Sequence, residues 1–272
     1  MPWFLQIPYG LLVGVAGLLP GVSGSTLLVL GGLYRPLTGA LAHPLRDFRR
    51  LLLPLAPFLL AAGLGLLLGS RLLSAFFARH ETAALYLFMG LMFGALPHLW
   101  QHAHRAGGGR RGWWLGGLMF LLCVGGALLD NHVAPRPDTI AARWSIWLLA
   151  GAGIGLGSVI PGASVAFILI YLGLYQPLLD GVAALDLNVL LPLGGGALAA
   201  ILGFARLADW LFRHAEGLTT RAIFGLVAGS IPLLYPSWPG GTAGLRALLL
   251  FAAGAVLSTL LNKYAPDAPA RG

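Results

Sequence analysis

The chain is poor in charge, poorest in acidic charge, and has a single cysteine. Of its 272 residues only 10% are charged, where a soluble globular domain carries roughly 25%. A surface wetted on all sides cannot be built from so few, and a soluble fold is excluded. Asp and Glu together number nine, against 17 Lys and Arg. The resulting formal charge of +8 would suggest a nucleic-acid partner in a soluble chain. Here the basic residues sit between apolar runs, so membrane topology and contact with anionic headgroups account for them, and no nucleic acid is expected. Cys123 lies inside an apolar run and has no second cysteine to pair with. No charged segment precedes the first apolar stretch, so no cleavable signal sequence is expected.

What fills the chain instead is apolar. Hydrophobic residues make up 58%, the mean hydropathy is +0.83, and there are 40 glycines, which permit close helix approach in lipid. Apolar runs cover residues 3–34, 51–77, 83–100, 113–129, 144–175, 189–212, 222–235 and 247–261. A simple spanning helix needs about 20 residues. The first and fifth runs are about 32 residues each, too long for one crossing. Each is broken near its middle by Pro-Gly, at Pro20-Gly21 and Pro161-Gly162, where proline removes a donor and clashes with the preceding turn.

Each long run is therefore either one broken span or a re-entrant hairpin, and the distribution of basic residues chooses between them. If both cross once, Lys and Arg divide eight against nine, with no bias. If both are re-entrant, twelve of the 17 fall on one side and five on the other. The preference survives when Arg71 and Arg206 are taken as intrahelical. The expected topology puts both termini in the cytoplasm.

The two long runs also match each other at an offset of 141. Gly10/Gly151, Gly14/Gly155, Pro20/Pro161, Gly21/Gly162, Ser23/Ser164, Gly32/Gly173, Tyr34/Tyr175 and Pro36/Pro177 coincide. Farther on, Gly90-Leu91-x-x-Gly94-x-x-Pro97 recurs as Gly225-Leu226-x-x-Gly229-x-x-Pro232. The expected organisation is residues 1–135 as a first repeat and 136–272 as a second. Each holds one re-entrant hairpin (3–34 and 144–175) and three transmembrane helices. An odd number of crossings per half inverts the second half, giving an all-α polytopic membrane protein with an inverted-topology repeat, as in many secondary transporters.

The broken helices carry the chemistry. In Pro20-Gly21-Val22-Ser23-Gly24-Ser25-Thr26 one arm ends and a second helix starts, exposing unpaired N–H groups and a partial positive charge. Ser23 suits the N-cap, Gly24 admits a ligand to the backbone, and Ser25 and Thr26 add hydroxyl donors. Such a turn binds an anion without a fixed cation. Pro161-Gly162-Ala163-Ser164 offers a second one. The competing reading is that each serine only caps its own helix; recurrence at equivalent positions favours the functional one. Arg71 and Arg206 follow Gly-rich apolar stretches at near-equivalent positions. An arginine within a span faces a cavity and recognises an anion, or it snorkels, or Arg206 pairs with Asp209. His98, His102 and His104 have no carboxylate or cysteine beside them, so no metal or other cofactor is expected. Asp180 and Asp186 fall in loops assigned to the outer side.

On these motifs, with Gly31-Gly32-Leu33-Tyr34, Leu172-Gly173-Leu174-Tyr175 and the two later glycine repeats, the chain resembles the polyprenyl-phosphate transporter (PopT) family. The resemblance covers most of the sequence. It implies a flippase of the bacterial cytoplasmic (inner) membrane that returns undecaprenyl phosphate, the carrier lipid of cell-wall biogenesis, to the cytoplasmic leaflet. It also implies phosphate-binding roles for Ser23, Gly24, Ser25, Thr26 and Ser164. The second motif departs from the family pattern, since Val165 and Ala166 follow Ser164, so fewer hydroxyls are carried over to that turn. The alternative is a small-anion channel or exchanger using the same helix N-termini. An intramembrane enzyme is not expected, because no His, Cys or carboxylate lies near either motif.

Overall fold

The structure, a computed structural model, describes residues 3–22, 27–28, 30–33, 53–107, 109–129, 143–159 and 166–263. Among these it is helical throughout, with nine helices and no strand. In chain order they are α1 (Trp3–Ala16), α2 (Ala56–Arg105), α3 (Gly109–Leu129), α4 (Trp144–Val159) and α5 (Ala166–Tyr171). They continue with α6 (Tyr175–Ala183), α7 (Leu187–His214), α8 (Glu216–Leu233) and α9 (Gly241–Lys263).

Length decides which of them can cross a bilayer. α1 has 14 residues, about 21 Å at 1.5 Å per residue, short of a hydrocarbon core of about 30 Å. α2 has 50 residues, which would reach about 75 Å if straight. It is not straight: His80, at φ −141° and ψ 49°, leaves helical geometry and folds it into two arms. The described residues of the runs 51–77 and 83–100 fall mostly on those arms. α2, the Leu187–Phe204 part of α7, and α9 are long and apolar enough to span a membrane. Their outward faces are greasy, with Leu60 at 75%, Leu72 at 72% and Leu202 at 70% exposure. Apolar area on that scale needs lipid around it. The chain is a membrane protein.

Small residues set the packing. α1 lies on the first arm of α2, with Gly10 and Gly14 against the backbone of Phe58 and Ala62. α4 lies on α7 in the same way, through Gly151 against Leu193 and Gly155 against Ala197. In lipid these close approaches supply the attraction that apolar burial supplies in water. The second arm of α2 meets α9, and α8 meets α3. Gly90 faces Phe251 and Gly94 faces Ala255, while Gly225 faces Gly116 and Gly229 faces Phe120. These pairs are reciprocal: an offset of 135 converts 90 into 225 and 116 into 251. One core links early and late segments, joining Leu18, Leu27, Phe77, Phe88 and Leu91 to Trp147, Leu169, Tyr175, Leu179 and Val189.

One element has no counterpart among the apolar runs. The connector after Tyr175 contains a helix, α6, whose Tyr175, Leu178, Leu179 and Val182 are buried. Asp180 lies on that helix, not in a loop.

Candidate functional site

The first Pro-Gly turn is built from tightening hydrogen bonds. At the end of α1 the pattern shifts from Gly17 N–H to the Val13 carbonyl (3.0 Å) to Leu18 N–H on Val15 (3.1 Å) and Leu19 N–H on Ala16 (3.1 Å). This is how a helix narrows before it stops. Pro20 then closes the helix and is fully buried. Gly21 turns the chain at φ +80°, a conformation only glycine adopts without strain. It also sits hard against the second arm of α2, where a Cβ would lie 2.7 Å from the Leu91 carbonyl oxygen and 2.8 Å from the Met92 nitrogen. Leu91 is about 15 Å along the arm that leaves His80 and about 21 Å from its other end at Arg105. The turn is therefore held far from both ends of that arm.

Three hydroxyls pin the turn and the segment beyond it. The Tyr175 hydroxyl, at the start of α6, donates to the Leu18 carbonyl at 2.6 Å. Its ring packs on Phe88 and Phe77, with centroids 5.6 and 6.0 Å away. Ser258 on α9 donates to the Gly21 carbonyl at 3.3 Å, and Asn262 one turn on donates to the Ser258 carbonyl at 2.9 Å. Past the turn, the Tyr9 hydroxyl on α1 donates to the Leu27 carbonyl. Leu33 joins Leu55 and Phe58 in a small cluster with Tyr9. The segment after the turn thus lies beside the middle of α1.

Of the residues singled out in the sequence, Pro20 and Gly21 form this turn. Ser23, Gly24, Ser25, Thr26, Pro161, Gly162 and Ser164 lie outside the described residues. Arg206 falls within α7, but its side chain is not among those described. Arg71 is exposed and its Nε donates to the Ala183 carbonyl at 3.2 Å, at the last residue of α6, where a cation suits the helix dipole. Gly69, two residues earlier, packs against Val15 and Leu18 beside the turn, while the Nε of Arg71 engages the end of α6. Beside it, Asp180 accepts from the Ser74 hydroxyl and from the Gln176 amide at 3.3 Å. His98 and His102 lie with ring centroids 4.8 Å apart; among the described residues no group of three His, Cys, Asp or Glu could hold a metal ion.

Sequence reasoning missed Tyr175, Ser258 and Arg221. Tyr175 carried a signal, the repeated Gly-Leu-Tyr of 32–34 and 173–175. Ser258 carried none. Arg221 counts among loop charges in the sequence, yet it lies on α8 at 4% exposure.

A helical membrane protein with a proline–glycine turn wedged between its long helices defines a class of membrane-embedded folds, and sequence comparison narrows it. The chain belongs to the family described as VCA0040-like, undecaprenyl phosphate translocase-like, whose model matches residues 3–108 and 113–247. A relative from Vibrio cholerae serotype O1, named polyprenyl-phosphate transporter, is 27% identical over 89% of this chain and 82% of its own length. One from Staphylococcus aureus with the same name is 24% identical over 97% of this chain and 98% of its own. No solved structure matches the chain.

Proposed function

We propose that this protein is a transporter of polyprenyl phosphate, undecaprenyl phosphate in particular, and that it flips the lipid across the bacterial cytoplasmic membrane without chemical change. Family membership and the names of both relatives support the substrate. The observation that carries the mechanism is the position of Gly21, locked against Leu91 and Met92 well inside the span. A helix restarting there aims its first N–H groups into a region without water, where unpaired donors cost several kcal/mol unless an anion meets them. Ser23, Gly24, Ser25 and Thr26 are the proposed phosphate ligands. Pro161, Gly162 and Ser164 provide a weaker second turn, and Arg71 and Arg206 contribute positive potential.

The proposed architecture is two inverted halves, 1–135 and 136–272, each with a re-entrant hairpin. The placement of Leu33 beside Leu55, Phe58 and Tyr9 supports a chain that comes back along α1. The reciprocal glycine contacts support halves related by a two-fold axis, since such an axis makes i meet j wherever j meets i. Both termini then lie in the cytoplasm.

The test is a leaflet-resolved assay in proteoliposomes. Purified protein should move a polyprenyl phosphate between leaflets while leaving halide and inorganic phosphate gradients intact. Rapid halide or free-phosphate flux without lipid movement would replace this reading with an anion channel.

A further inference from the structure

Arg221 is the only charged side chain among the described residues that is buried, at 4% exposure. Its Nη1 donates to the Gly109 carbonyl at 2.7 Å, and its guanidinium carbon lies 4.9 Å from the centre of the Trp113 ring. The Nε is buried and has no partner. Room for the group comes from Gly112, where a Cβ would lie 2.7 Å from Nη1. Trp100, Trp113 and Phe224 frame it, with Trp100 centred 4.5 Å from Trp113 and 5.3 Å from Phe224, and His104 stacks on Trp100.

A buried cation without a counter-charge is costly, and an aromatic face compensates only part of that cost. No carboxylate pairs with Arg221 among the described residues. The nearest in sequence, Glu216, is exposed and five residues back on the same helix, roughly 140° around it. Every other described charge at this end of the bundle is basic: Arg105 closes α2, and Arg110 and Arg111 open α3, both exposed.

The other half shows that the fold does not need the charge. Counted from Gly225 and Gly90, position 221 corresponds to position 86. Tyr86 there is also buried, at 5%, lies edge-on to Tyr235 and Trp238, and donates its hydroxyl to the Ser237 carbonyl at 3.3 Å. A neutral donor holds the loop in one half. In the other the same task is given to a guanidinium with a donor left over.

We infer that Arg221, backed by Trp113 and flanked by Arg105, Arg110 and Arg111, is a second binding site, at the rim of the bundle, for a phosphomonoester headgroup. The anion engages the unpartnered Nε together with Nη2, the side-on pair of donors with which arginine holds phosphate, while Nη1 keeps its bond to the Gly109 carbonyl. Trp100 is eight residues beyond Met92, about 12 Å farther along α2 than the Gly21 turn. The two sites would stand at different depths on one path, with the lipid tail outside. The identity of the anion rests on the transport reading; the presence of an anion site does not.

The experiment uses full-length protein in phosphatidylcholine nanodiscs, with farnesyl phosphate as the probe and binding stoichiometry as the readout. Wild type should bind two equivalents. The S23A/S25A variant should keep one, and adding R221Q should weaken that one tenfold or more while R221K preserves most of it. If S23A/S25A binds none, or if R221Q leaves its remaining site unchanged, the inference is overturned. If S23A/S25A still binds two, the phosphate assignment at the first turn fails instead, and R221Q alone decides the rim site. R221Q keeps a donor for Gly109, and should it fail to fold, the count on S23A/S25A still decides. Competition by inorganic phosphate at equal concentration would mark the site as one for free phosphate, and its absence as one for a lipid headgroup; either supports the phosphomonoester. Displacement of the probe by phosphatidylglycerol in the disc would overturn it.

Discussion

Gly21 makes two demands at once: a left-handed backbone at φ +80° and no Cβ against Leu91. For an L-residue the first alone costs about 1–2 kcal/mol. G21A should therefore lower the thermal midpoint in detergent and reduce lipid-phosphate transport. G63A is the control: that helical position has nothing within 4 Å of a new Cβ, and alanine there should be neutral or up to about 1 kcal/mol stabilising. Equal behaviour of the two variants would show that the turn is not constrained as described. Among the proposed phosphate ligands, Ser23 and Ser25 stand in the motif with more hydroxyls. S23A and S25A should each slow transport more than S164A does; matched losses would mean that the two turns share the load. Pro20 and Gly21 were legible in the sequence because proline and glycine act locally. Arg221 was not, since counting charges by connector carries no information about burial, and a buried arginine near a run end looks like any other basic residue of a loop.

At the level of elements, α6 is where sequence and structure part. Its stretch, Tyr175–Ala183, comes after a Gly-Leu turn and carries a proline and an aspartate, features that read as a loop. Tertiary contact makes it a helix: Leu178, Leu179 and Val182 enter the central core, and Arg71 meets its last carbonyl. Its first residue reaches 157 positions back to Leu18, a bond no periodicity could announce. Because α6 belongs to the later segment and the Pro20 turn to the earlier one, that bond ties the position of one to the other. Y175F keeps the ring against Phe77 and Phe88 and removes only the hydroxyl. A buried carbonyl left without its donor costs about 1–3 kcal/mol. A fall in thermal midpoint with weakened farnesyl phosphate binding is expected. Unchanged binding in a destabilised protein would make Tyr175 a support of the fold without influence on the turn.

For the molecule as a whole, the spans were readable and their arrangement only partly so. Among the described residues, hydropathy located the three helices that are long and apolar enough to cross, because length and composition suffice for that. It could not show that the runs at 51–77 and 83–100 join at His80, or that the second arm of α2 pairs with α9 while α8 pairs with α3. Those pairings are made by glycines meeting backbone, and nothing in one helix names its partner. What the reciprocal pairs leave to experiment is the direction of the two-fold axis. An axis in the membrane plane inverts the halves, and an axis along the normal does not. The inverted, re-entrant arrangement puts the connector after the first hairpin in the cytoplasm and the connector after the second outside. In a C123S background, A40C should be labelled by an impermeant maleimide only after the cytoplasmic face is opened. A183C, at the end of α6, should be labelled in intact cells. Labelling of both from one side would mean that the halves run parallel or that one long run crosses outright. In either case the two turns could not approach the bilayer middle from opposite faces, and a single site served alternately from each side would lose its structural basis.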